Sequence, residues 1–188
     1  MYPLAVLVAM AFGLIVLGLQ ANSSDAPAQT VGGDFPAFYG AGVIAADGDW
    51  DNLYDFERQA AAQAPLQEEA GTVRYFAYPP QVAAAHAPLA AFEYGTAYLL
   101  YTAVMFGLLL LAIKVAEPML PWLRGRTLLA SAIALSFWPM LRAVTGGSNT
   151  ALSLLLVVAA WRLIHDDREV AAGQAWAGLL FKPQNAVP

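Results

Sequence analysis

Apolar runs constrain this chain more than any other feature. Residues 3–19, 95–113, 127–141, 150–164 and 170–181 are strongly hydrophobic, and Arg162 is the one charged residue within them. A helix needs about 20 apolar residues to cross the roughly 30 Å hydrocarbon layer of a bilayer. Each run is therefore read as a spanning helix, the last one marginal in length. Composition agrees: 59% of the residues are hydrophobic and 12% are charged, against about 25% charged in ordinary soluble domains. The expected fold is all-α, a polytopic helical membrane protein with one large extracytoplasmic loop. The chain divides into a first helix at 1–20, the loop at 21–92, and a helical bundle at 93–188.

The net charge of −5 excludes nucleic acid as a partner, because no basic stripe is present to neutralise phosphates. There is no cysteine, so neither a disulfide framework nor a thiolate metal site can form. His86 and His165 share no ligand-like spacing with carboxylates, and no metal or cofactor is expected. The first apolar run has no Lys or Arg before it, which favours an anchor over a signal peptide. Ala26 and Ala28 nevertheless resemble a cleavage site.

Orientation follows from the cations. Lys114, Arg124 and Arg126 lie between the second and third runs, and Arg162 and Arg168 lie at the junction of the fourth and fifth. Short loops rich in Lys and Arg stay in the cytoplasm. The amino terminus is then cytoplasmic, while the acidic 21–92 loop and residues 142–149 face outward. Within the loop, residues 35–46 form a short helix with Asp34 as its N-cap and Pro36 in its first turn. Residues 51–64 form a second helix. The Ala-rich stretch 78–92, opened by Pro79-Pro80, reads as a juxtamembrane or partly inserted helix.

Several short motifs occur along this frame: Gly33-Asp34-Phe35-Pro36-Ala37-Phe38-Tyr39, Leu53-Tyr54-Asp55, Phe76-Ala77-Tyr78-Pro79-Pro80, Gly146-Gly147-Ser148-Asn149, and Phe181-Lys182-Pro183-Gln184. In this order, and against this hydropathy, they resemble glycosyltransferase family 87, the membrane mannosyltransferases that use polyprenyl phosphate sugars. The resemblance implies a type C glycosyltransferase fold, with the chain matching its amino-terminal half and further spans expected after it. It also implies an outer-face active site with Asp34 as catalytic base. Lys182, Gln184 and Arg142 would hold the donor phosphate, Asn149 would bond a sugar, and Tyr78 would stack on a sugar ring or prenyl unit. Many members carry a Gly-Gln-Asn turn where this chain has Gly147-Ser148-Asn149.

Each residue also has a plainer reading. Asp34 and Asn149 suit helix caps, Lys182 and Arg142 suit snorkelling cations, and Tyr78 suits an interfacial anchor. His86 reads as a packing histidine, and His165 lies on the cytoplasmic side. Asp47, Asp49, Asp51 and Asp55 lack calcium-loop spacing and read as a solvated surface. The expected partners are a polyprenyl phosphate sugar donor, a lipid or glycan acceptor, membrane lipids, and a second chain if one completes the fold. The rival reading is a noncatalytic membrane subunit or lipid-glycan-binding protein.

Overall fold

In the computed structural model, residues 2–21, 32–66 and 73–182 are described. They are helical, with no strand among them. In chain order the helices are α1 Tyr2–Ala21, α2 Phe35–Ala46, α3 Phe56–Gln63, α4 Pro80–His86, α5 Tyr94–Ala116, α6 Thr127–Ser136, α7 Trp138–Thr145, α8 Thr150–His165 and α9 Glu169–Ala177. Two compact units emerge. The first comprises Phe12–Tyr101 with Thr145–Gly147; the second comprises Met1–Ala11, Thr102–Val144 and Ser148–Pro188.

The first unit is organised on α2. Phe35, Phe38, Ala41 and Ile44 recur every three residues along one face and are almost completely buried, the spacing that turns one helical face inward. Helices α3 and α4, and the 3₁₀ turn Ala87–Ala91, pack against α2. Gly42 permits the close approach of α4, since a Cβ there would lie 2.7 Å from the His86 carbonyl oxygen. The segment expected to be juxtamembrane is thus a seven-residue helix and a 3₁₀ turn docked on α2. Seven residues rise only about 10 Å and do not cross a bilayer.

The helix expected at 51–64 starts later. Trp50–Asn52 is a 3₁₀ turn, Asp55 is extended, and its carboxylate accepts the Arg58 N–H at 2.8 Å as the N-cap of α3. Asp47 and Asp49 both pair with Arg58, which depresses the Asp49 carboxyl below its ordinary value, chiefly through the Arg58 hydrogen bond and secondarily through Asn52. These aspartates form a paired surface rather than a purely solvated one.

Two buried glutamines fasten the extended stretch 73–77 to α3. Gln59 Nε2 donates to the carbonyls of Leu53 and Phe76, and its Oε1 accepts the Phe76 N–H at 2.9 Å. One turn later, Gln63 makes the same double exchange with the Arg74 backbone. Gln59→Leu strands buried backbone groups without partners. It is expected to cost about 2 kcal/mol, read as an earlier thermal unfolding of detergent-solubilised protein.

Among the described residues, α5 is the helix long and apolar enough to cross a membrane by length and composition. Its residues Tyr94, Tyr98, Tyr101, Met105, Leu109, Ala112 and Ala116 form a buried stripe, while Leu100, Val104 and Leu111 stand exposed. These exposed apolar side chains run along a 23-residue helix. The single helix expected at 127–141 is instead broken. Phe137 is extended, and α6 and α7 meet at a 98° bend. Pro139 supplies the cause: it has no N–H for the Leu135 carbonyl and its ring clashes there, yet it is tolerated in the first turn of a new helix. The pair counts as a second candidate crossing if it is one broken span.

In the second unit, α9 packs along α8, with Gly178 close to Leu156. Asp167 takes a left-handed conformation, φ 57°, between them, a role Asp fills more readily than most residues. Helix α8 has 16 residues and α9 has nine. Helix α8 coincides with the run read at 150–164, and α9 with the following 3₁₀ turn Gly178–Phe181 covers the marginal run at 170–181; neither helix reaches the length that marks α5 as a candidate span.

Candidate active site

The N-terminal end of α2 is assembled from two glycine pairs far apart in sequence. Gly32 and Gly33 have φ of 102° and 51°, and Gly147 has φ of 73°, values that only glycine adopts without strain. The Asp34 N–H donates to the Gly146 carbonyl at 2.8 Å, and Phe35 N–H donates to Gly32 at 2.7 Å. No side chain fits in this contact. A Cβ on Gly147 would lie 2.4 Å from Gly32 O, and one on Gly33 would lie 2.5 Å from Gly146 O. Nearby, the Tyr98 hydroxyl donates to the Thr145 carbonyl at 2.8 Å.

Asp34 occupies the N-cap position, as expected, yet its side chain makes no capping hydrogen bond. Its backbone is already helical, φ −88° and ψ −10°, whereas a capping side chain reaches back from an extended residue. Asp34 is exposed to solvent. The plainer reading of this carboxylate therefore has no geometric support. Its backbone is fixed by Gly146, and its oxygens are left to the surface.

Tyr78 belongs to the same unit. Its ring lies 4.9 Å from that of Phe38 and 5.7 Å from Phe76. Partial burial, and secondarily the charge of Asp34, raise the Tyr78 hydroxyl above its ordinary value. Tyr78 thus lies in the aromatic cluster on α2, within electrostatic reach of Asp34.

Arg142, Asn149 and Lys182 belong to the second unit. Arg142 lies exposed on α7. Asn149 precedes α8 without capping it; its side chain is buried and Oδ1 has no hydrogen-bond partner. Lys182 is half-buried at the end of the 3₁₀ turn Gly178–Phe181. Gln184 lies outside the described residues. No group of three or more His, Asp or Glu among the described residues could hold a metal ion.

A family model, glycosyltransferase family 87, matches residues 76–183, more than half of the chain. The chain belongs to glycosyltransferase family 87. No curated protein and no solved structure matches it. Family 87 membership implies a glycosyltransferase, hence a protein that binds a sugar donor and an acceptor, and with the apolar α5 it points to the membrane. The matched stretch contains Tyr78, Arg142, Asn149 and Lys182; it begins after Asp34 and ends before Gln184.

His86 reads in the sequence of this family 87 protein as a packing histidine, and it does pack; Tyr101, not singled out there, lies beside it. His86 packs in the α2 cluster with its ring stacked 5.0 Å from Phe38, and Tyr101 lies 5.4 Å from His86. The spacing of Tyr94, Tyr98 and Tyr101 places all three on one helical face, a signal present in the sequence. Burial lowers the His86 pKa, only partly offset by its bond to Val82 O, so the ring is neutral at pH 7.

Proposed function

We propose that this family 87 protein transfers a hexose, mannose by family resemblance, from a polyprenyl phosphate carrier to a lipid or glycan hydroxyl at the extracytoplasmic face. The acceptor oxygen attacks the anomeric carbon as the bond to the phosphate oxygen breaks. The phosphate leaves with the bonding pair, and Asp34 takes the acceptor proton. One displacement inverts the configuration. Lys182 and Arg142 serve as cations for the donor phosphate, with Gln184 and Asn149 as hydrogen-bonding groups and Tyr78 as a stacking surface.

The observation that carries this reading is the Asp34 carboxylate, exposed, backbone-fixed and unused as a cap. A general base must reach its proton, and a committed cap would be poorly placed to do so. Membranes bearing the chain and supplied with polyprenyl phosphate mannose are expected to form a product of opposite anomeric configuration. A product that retains configuration would rule out the single displacement.

The topology has separate support. The chain leaves the first unit after Tyr101, yet Thr145 returns to bond Tyr98 and Gly146 returns to bond Asp34. If α5 crosses the membrane, the α6–α7 pair must bring the chain back to the face it left. A cysteine placed at Ala46 is expected to react with an impermeant maleimide in intact cells, and one at Arg124 or Asp166 only after permeabilisation. The native chain has no thiol to compete. External labelling at Arg124 with protection at Ala46 would reverse the orientation.

A further inference from the structure

Two polar atoms in the first unit are buried without a hydrogen-bond partner, His86 Nε2 and Tyr101 Oη. Both residues are more than nine-tenths buried, 8% and 5% exposed. Leaving such atoms unpaired costs free energy, and native proteins seldom do so without a reason. They occur together: the His86 and Tyr101 rings are 5.4 Å apart, and Tyr101 is 5.1 Å from Phe35, the residue after Asp34. His86 Nδ1 contacts the Val82 carbonyl oxygen at 2.7 Å. A carbonyl only accepts, so the proton resides on Nδ1 and Nε2 carries a lone pair.

We propose that His86 and Tyr101 form a hydroxyl-binding subsite for a sugar ring beside Asp34. Nε2 accepts a hydrogen bond from one sugar hydroxyl, and the Tyr101 hydroxyl bonds its neighbour. This rests on the glycosyl-transfer reading above and adds two binding residues to it. Both atoms are sealed in the resting protein, so side chains around them must move for substrate to enter.

The test compares the full chain with Tyr101→Phe, which keeps the ring and removes one hydroxyl. A hydroxyl that serves only substrate has no partner to lose at rest. The substrate-free melting temperature of Tyr101→Phe is therefore expected to be unchanged or higher, while transfer from polyprenyl phosphate mannose falls about 5- to 100-fold. Addition of polyprenyl phosphate mannose should raise the melting temperature of the unmodified chain and raise that of Tyr101→Phe less. Unimpaired transfer by Tyr101→Phe in an active chain overturns the subsite alone, as does a substrate-free variant that fails to fold. Absence of transfer by the unmodified chain is a failure of the enzymatic reading, and the thermal shift then decides by itself. An equal shift in both proteins, or none in the unmodified chain, overturns the subsite.

Discussion

Gly147→Ala is expected to destabilise the protein by about 4 kcal/mol, from left-handed backbone strain of about 1–3 kcal/mol and overpacking of similar size. A loss of that size lowers the melting temperature by on the order of 10 °C in a chain of this length. The backbone conformation, φ 73°, disfavours any side chain. The new methyl would also lie 2.4 Å from both Gly32 O and Phe35 N. Neither neighbour is the end of a flexible side chain, so relief requires moving the first turn of α2 and Asp34 with it. Gly48 separates the two effects: its φ is also 73°, but a Cβ there meets nothing within 4 Å. Gly48→Ala is expected to cost about 1 kcal/mol and leave transfer intact. Equal losses at the two glycines would show that the contact between Gly147 and Gly32 carries no weight.

Asp34→Asn is expected to lower transfer 10²- to 10⁴-fold, the usual contribution of a positioned general base. The amide has nearly the same shape but does not take up a proton at neutral pH. Because the carboxylate caps nothing, the melting temperature should not change. Asp55 supplies the contrast. It does cap a helix, accepting the Arg58 N–H, so Asp55→Ala should cost about 1 kcal/mol. An Asp34→Asn protein that melts early and transfers slowly in proportion would return Asp34 to a structural role.

Local features were legible in the sequence. The bounds of α2 follow from Pro36 and the apolar spacing, and α5 follows from its uncharged length. Pro139 marks the break at Phe137, but the span at 127–141 is read from hydropathy alone, and an apolar run records composition and not direction. The cap at Asp55 was likewise present in the sequence and was passed over for a longer helix. What was not legible is the meeting of Gly32–Asp34 with Gly146–Gly147, more than a hundred residues away. Glycine in a turn signals freedom of φ and does not name the backbone it will touch. The unmet polar atoms of His86 and Tyr101 are hidden for the same reason. A histidine on an Ala-rich helix looks like packing until the neighbours that fail to bond it are known.

We propose that sugar transfer by this family 87 protein runs through Asp34 as the base. The most direct test is transfer of radiolabelled mannose from polyprenyl phosphate mannose to membrane lipid. The comparison is between membranes carrying the unmodified chain, membranes with an equal amount of Asp34→Asn, and empty membranes. Under that proposal labelled product is expected with the unmodified chain, and a loss of at least about 10²-fold with Asp34→Asn. Equal labelling by the two chains, or none above empty membranes with either, would contradict it.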